Sequence, residues 1–273
     1  MAMIITVDIG GTKTLVAVFD ETMNIVESTK FKTPTDYSEF LAKLTDSASS
    51  LSTHNFRFGS IGTRGIIDRE KGEMVQDSGV LNWNDAPLVA DCEAIFGCKF
   101  SIENDSKLAG LSEARILNGT YKKIVYVTIS TGIGSAYIAD GQLDQNTINS
   151  EVGKWAIESD GQVKTWEETA SGSWIKEAFG KLASELDDPE AWSEISRRLA
   201  LGFINICAAY TPDLIIIGGG VGEHLDKFKE ELEEKMTTLA HPMIKLCPIK
   251  KAQNPEEAVI YGCFYHANDK FNN

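Results

Sequence analysis

An α/β fold made of two similar halves is predicted by three features of this 273-residue chain. VDIGGTKTLVAVFD (7–20) is a β-branched strand, a turn of glycine and threonine, and a second apolar strand. KIVYVTISTGIGSAYIADGQL (123–143) repeats that plan and can be laid beside the first stretch. In the first half the hairpin leads into a third strand, a helix and a further strand, an alternation that implies a sheet covered by helices.

The elements follow in order. Ile4 to Val7 and Leu15 to Phe19 read as strands buried on both faces, and IVESTKFKTP (25–34) as a third strand. Residues 36–51 have helical spacing with Phe40, Leu41, Leu44 and Leu51 inward. RFGSIGTRGIID (57–68) is a strand entering a loop with a glycine, 87–97 a short helix, CKFSIEND (98–105) a strand with a polar end, and 106–118 a helix. After the second hairpin come helices at 167–184 and 189–210, then DLIIIGGGVGEHLDKFKEEL (213–232) as strand, glycine turn and helix. Pro255 suits the start of a last helix over 255–268. Domains are expected at 1–117 and 118–273, with the last helix returning to the first.

Composition narrows the partners. With 26 Lys and Arg against 40 Asp and Glu the net charge is -14, which disfavours a nucleic-acid partner and leaves an anionic ligand dependent on local positive groups. No apolar run reaches the ~18 residues of a membrane span, so no membrane partner and a cytoplasmic location are expected. Cys92, Cys98, Cys207, Cys247 and Cys263 form no Cys-x-x-Cys pair, and are read as reduced.

The turn at 8–14 has more polar chemistry than a hairpin requires. Gly10 and Gly11 let another group approach the backbone, Thr12 and Thr14 add hydroxyls, Lys13 adds a charge, and Asp8 could hold a hydrated magnesium ion. A tight turn using glycine for positive φ accounts for the same residues. Asp105, at a strand end, suits either a proton acceptor or the cap of the helix that follows, and Asn104 either a sugar contact or a cap.

DIGGTKT, IENDSKLAGLSEA, TISTGIGSAYIADGQL and IIIGGGV occur in the order of the first phosphate, catalytic, second phosphate and adenosine segments of the ROK family (repressors, open reading frames and sugar kinases). The chain resembles that family from about residue 3 to residue 265. The resemblance implies two ribonuclease-H-like domains of the actin-like ATPase superfamily with a cleft between them. It implies transfer of the γ-phosphate of ATP, with magnesium, to a hexose or hexose derivative, usually at the 6-hydroxyl, by a homodimer. Asp105 matches the family's catalytic aspartate, and Asn104 the residue that bonds sugar hydroxyls. Gly10, Gly11, Thr12, Lys13, Thr131, Gly132 and Gly134 would surround the phosphates, Asp8 would orient magnesium, and Gly218, Gly219 and Gly220 would lie against adenosine. Gly65, Ser78, Glu151 and Glu167 are matched to the sugar side.

Two departures stand out. Lys154 replaces a histidine found in many members, and WAIESDGQVKTW (155–166) has neither Cys nor His where many carry a zinc loop, so no zinc is expected. Lys154 could contact sugar, pair with Glu151, or point to solvent. Trp83, Trp155 and Trp166 are assigned to packing, and His54, His224, His241 and His266 to surface or packing roles. A catalytically weak sugar- or nucleotide-binding protein with a regulatory role is the alternative function. A DNA-binding repressor is disfavoured, because the chain opens directly on the nucleotide segment and is acidic.

Overall fold

The computed structural model describes residues 3–77, 79–159 and 161–271. In chain order the first elements are β1 (Met3–Ile9), β2 (Lys13–Phe19), β3 (Ile25–Lys32), α1 (Tyr37–Ser50), β4 (Phe56–Thr63), β5 (Ile66–Asp68), β6 (Glu73–Gln76), β7 (Asn84–Ala86), α2 (Leu88–Phe96), β8 (Lys99–Asn104) and α3 (Asp105–Ile116). There follow β9 (Lys123–Ile129), β10 (Ile133–Ala139), β11 (Gln142–Leu143), β12 (Ala156–Ser159), β13 (Gln162–Thr165), α4 (Trp166–Ala170), α5 (Gly172–Phe179), α6 (Pro189–Tyr210), β14 (Leu214–Gly218), α7 (Gly219–Gly222), α8 (Lys229–Leu239), β15 (Ile249–Lys251) and α9 (Ala258–Phe271).

The chain forms two compact units. One runs to Ser112 and takes back Glu256 onward; the other is Glu113–Pro255. The division lies within α3, ahead of the 117/118 boundary read from the sequence, and α9 belongs to the first unit.

In the first unit five strands lie in the order β3-β2-β1-β4-β8, with β1 antiparallel to β2 and parallel to β4, and β4 parallel to β8. β1 is buried on both faces over most of its length, in keeping with its mostly apolar, β-branched sequence. Ile5, Val7 and Ile9 pack with Phe40 and Leu44 of α1, while Ile4 joins Phe19, Phe58 and, from α9, Ile260 and Phe264. Asp36 caps α1 by accepting the Glu39 amide at 3.0 Å. Trp83 fills the first core against Phe40 at a ring separation of 4.5 Å.

The second unit repeats this order as β11-β10-β9-β14-β15, with β9 antiparallel to β10 and parallel to β14, and β14 parallel to β15. Its core gathers Val125, Val127 and Ile129 of β9, Ile215 and Ile217 of β14, and Ile195, Leu199 and Phe203 of α6. Trp166 is fully buried there, edge-on to Phe203, and a Cβ on Gly202 would collide with its indole. Trp155 is partly buried and stacks on Tyr210.

Several boundaries differ from expectation. The helix read over 167–184 is two, α4 and α5, because Ser171 ends one and caps the next by accepting the Trp174 amide at 3.3 Å. The glycine turn after β14 leads into the four-residue α7, and the long helix begins only at Lys229. Pro255 lies in a turn ahead of α9, which starts at Ala258. Segment 155–166 contains the hairpin β12–β13, and β5, β6 and β7 form a small antiparallel sheet.

Candidate functional site

Within the first unit the expected residues gather where β1, β4 and β8 end. Registers pair Ile9 with Thr63 and Thr63 with Asn104, so Gly10, Arg64 and Asp105 leave three adjacent parallel strands side by side. This is the strand-end position at which open α/β sheets bind ligands.

The first turn is closed by the Gly10 amide donating to Lys13 O at 3.0 Å and by Thr33, whose hydroxyl donates to Gly10 O at 2.8 Å. Its glycines serve close approach: neither has positive φ, and a Cβ on Gly11 would collide with Nη1 of Arg64. Thr12 and Lys13 are exposed. Thr14, by contrast, is buried and shares a hydrogen bond of 2.9 Å with Thr33, so its hydroxyl belongs to the hairpin and not to the turn's open side.

Asp8 has its carboxyl pushed up to about 7, first by burial and then by the charge of Asp105, with Lys30 opposing. Both acids are partly exposed, so two like charges meet at this strand end.

Asp105 is half-buried and opens α3. Its Oδ1 accepts the Ser106 amide at 2.7 Å, and Asn104 Oδ1 accepts the same amide at 3.0 Å, so Asn104 caps the helix that Asp105 opens. Asn104 Nδ2 faces Gly65 O at 3.5 Å. Gly65 has φ +86°, and a Cβ there would lie 2.5 Å from Gln76 O, so this corner requires glycine. Ser78 lies outside the described residues.

Residues not singled out from the sequence support this row. Glu103 is 2% exposed, is gripped by Arg69 through bonds of 2.7 and 2.6 Å, and accepts the Asn104 amide at 2.7 Å. A carboxylate directly after the apolar Ile102 in a strand was the available signal, since a buried charge needs a partner. Arg64 Nε meets Asp77 Oδ1 at 3.1 Å, and the other Asp77 oxygen accepts the amides of Val80 and, at 2.7 Å, Leu81.

In the second unit Ser130, Thr131 and Gly132 form the turn between β9 and β10, with Gly134 inside β10 opposite Thr128. Ser130 O accepts the Gly172 amide at 2.7 Å. Glu167 lies over this turn: its Oε2 is 3.4 Å from the Ile133 amide, and a Cβ on Gly132 would come within 3.0 Å of it. Lys154 pairs with Glu167 from a short turn whose Gly153 abuts Ile133 O. Glu151 is exposed. Gly218 and Gly219 pass close by: a Cβ on Gly219, at φ +78°, would lie 2.5 Å from Ile129 O, whereas Gly220 faces open space.

Among the described residues, no group of three or more His, Cys, Asp or Glu is placed to hold a metal, and no helix is long and apolar enough to cross a membrane. His54 and His241 are exposed, His224 lies near Trp192, and His266 is packed, with Nδ1 at 3.1 Å from Ser60 Oγ. All five cysteines are free.

A fructokinase of Lactococcus lactis subsp. cremoris is 27% identical over 232 residues, covering 80% of this chain and 79% of its own length. An N-acetyl-D-glucosamine kinase of Haemophilus influenzae is 24% identical over 299 residues, covering 93% of this chain and 96% of its own. A ROK family glucokinase from Streptomyces griseus, solved with glucose and AMPPNP, superimposes with a TM-score of 0.79 at 21% identity over 98% of this chain and all of its own, a likeness of fold. The profile of the ROK family matches residues 4–270, and the chain therefore belongs to the ROK family.

Proposed function

We propose that this protein is an ATP-dependent sugar kinase of the glucokinase type, transferring the γ-phosphoryl group to the 6-hydroxyl of a hexose or hexose derivative. The observation that carries the reading is the row of Gly10, Arg64 and Asp105 at three adjacent strand ends, with Asp8 beside Asp105. Phosphoryl transfer needs positioning, charge neutralisation and a proton acceptor, and this row offers all three.

In this reading Asp105 accepts the hydroxyl proton, Asn104 and Gly65 orient the sugar, and Ser78, Glu151, Lys154 and Glu167 complete its contacts. Gly10, Gly11, Thr12 and Lys13 hold phosphate, as do Thr131, Gly132 and Gly134, and Gly218, Gly219 and Gly220 take the adenosine. The acid pair of Asp8 and Asp105 fits magnesium, with Asp8 holding it through water; magnesium would neutralise phosphate charge. No zinc is used, and the working form is a cytoplasmic homodimer without nucleic-acid or membrane partners.

A second reading, a weakly catalytic binding protein, is favoured by one observation: Lys154 occupies Glu167, whose carboxylate already lies on the second turn. ATP turnover over a panel of hexoses and N-acetylhexosamines, with the phosphate located by NMR, separates the two. Saturable nucleotide binding with no sugar phosphorylated anywhere in the panel would support the second.

A further inference from the structure

Arg64 has no role in the family pattern set out above, yet it stands at the centre of the row. β4 lies between β1 and β8, so the residue following Thr63 emerges between the first phosphate turn and Asp105. Its Nε lies 3.1 Å from Oδ1 of Asp77, an ion pair with a carboxylate only 2% exposed whose second oxygen is anchored by the Val80 and Leu81 amides. Nη1 is thereby laid over Gly11, in the space a side chain at that position would fill. The Arg64 side chain is 27% exposed, so it is neither buried nor loose.

We propose that Arg64 is a phosphoryl-binding residue, whose Nη edge contacts the terminal phosphoryl group of ATP lying on the Gly10–Gly11 turn. A planar guanidinium can hold a carboxylate through one edge and phosphate oxygens through another, which an ammonium cannot do. The surroundings call for such a charge. Asp8 and Asp105 flank the turn, the whole chain carries -14, and Lys13 is exposed on the hairpin. During transfer the bond from phosphorus to the ADP oxygen breaks as the bond to the sugar oxygen forms. The hydroxyl proton passes to Asp105, while the guanidinium keeps its protons and stabilises the charge on the moving group. Asp77 is a positioning residue that aims Arg64.

The inference rests on the reading of the first turn as a phosphate site, and it is tested by a measurement that needs no turnover. Calorimetry compares MgAMPPNP, which has a third phosphoryl group, with MgADP, in wild type, Arg64→Gln, Arg64→Lys and Asp77→Asn. Loss of a charged hydrogen bond predicts MgAMPPNP affinity lowered about 10-fold or more in Arg64→Gln, with MgADP changed less than about 3-fold. Arg64→Lys, the variant less disturbing to folding, is expected to fall in between, and Asp77→Asn to keep most of the preference for the triphosphate. Turnover of Arg64→Gln is expected to drop about 10²- to 10³-fold. An unchanged AMPPNP to ADP ratio in both Arg64 variants overturns the inference. Equal weakening of both nucleotides by Arg64→Gln and Asp77→Asn also overturns it, because that pattern belongs to a residue that only anchors Asp77. So does an unchanged ratio with selective loss of binding to a sugar acid or sugar phosphate, which would assign the guanidinium to the acceptor. Wild type that binds both nucleotides but phosphorylates no sugar defeats the kinase reading alone. Wild type that binds neither defeats both.

Discussion

Asp105 opens α3, and its place in the fold can be separated from the proton-accepting role proposed for it. Asparagine at this position keeps an Oδ1 that accepts the Ser106 amide, so the local bond survives, but it cannot take up a proton. Asp105→Asn is therefore predicted to lower turnover by ~10²- to 10⁴-fold with little change in melting temperature or nucleotide affinity. Turnover within a few-fold of wild type would remove Asp105 from the proton-accepting role. His266 gives the pH dependence. Burial lowers its pKa below the ordinary 6.5, against the pull of Glu103 and Asp269 and aided by Lys270 and Arg69, and its Nδ1 lies 3.1 Å from Ser60 Oγ and 3.2 Å from Ser101 Oγ. An imidazole kept neutral in the fold but free to charge when unfolded stabilises above pH 6.5, and that stabilisation is lost as pH falls through the folded pKa. Melting curves should show wild type losing stability on acidification below that point more steeply than His266→Gln. Parallel curves would show that the imidazole is not the titrating group. At this scale the sequence was legible for position, as in placing Asp105 directly after a strand. It was not legible for Thr14, whose hydroxyl is taken up by Thr33, a residue 19 positions away.

The two glycine turns behave as elements, each joining antiparallel strands and each using glycine for room. In the second, a side chain at position 132 would press on Glu167, whose Oε2 faces the Ile133 amide, on the turn proposed to hold phosphate. Gly132→Val is predicted to weaken MgATP binding about 10-fold or more while leaving the β9–β10 hairpin intact, because Gly132 lacks the positive φ that would strain valine. Unchanged affinity by calorimetry would take this turn out of the nucleotide site. The hairpins and α6 were legible because their signals are local: apolar, β-branched runs for β1 and β2, and Asp188 with Pro189 opening a 22-residue helix. The break between α4 and α5 was missed because Ser171 reads as an ordinary helix residue until its hydroxyl is seen capping Trp174. β5, β6 and β7 were missed because strands of three or four partly polar residues carry no periodicity. Lys154 could not be assigned a partner from spacing alone. Glu151 is closer in sequence, but the short turn at 152–154 delivers the ammonium to Glu167.

Across the molecule, the duplication foreseen from the two hairpins extends to whole sheets. The strand orders β3-β2-β1-β4-β8 and β11-β10-β9-β14-β15 have the same sequence of parallel and antiparallel pairings, each unit with its own apolar core. Where many family members carry a zinc loop, this chain has the β12–β13 hairpin, tied by four residue pairs from Ala156 opposite Thr165 to Ser159 opposite Gln162. A segment held by backbone bonds needs no thiolates. Chelation is accordingly predicted to leave the melting temperature unchanged and to cost activity only until magnesium is returned; stoichiometric zinc by elemental analysis, or unfolding on chelation, would contradict this. That the first unit draws on residues from both sides of Glu113–Pro255 in the sequence has a further consequence, for biosynthesis. The face of β1, β2 and β4 formed by Ile4, Phe19 and Phe58 is covered by Ile260 and Phe264, residues from the far end of the chain. On the ribosome this apolar face waits uncovered while the whole of Glu113–Pro255 is made, so the unit begun first is the one completed last. The nascent chain is then most exposed to aggregation, and most in need of chaperone cover, along a strand it made at the outset.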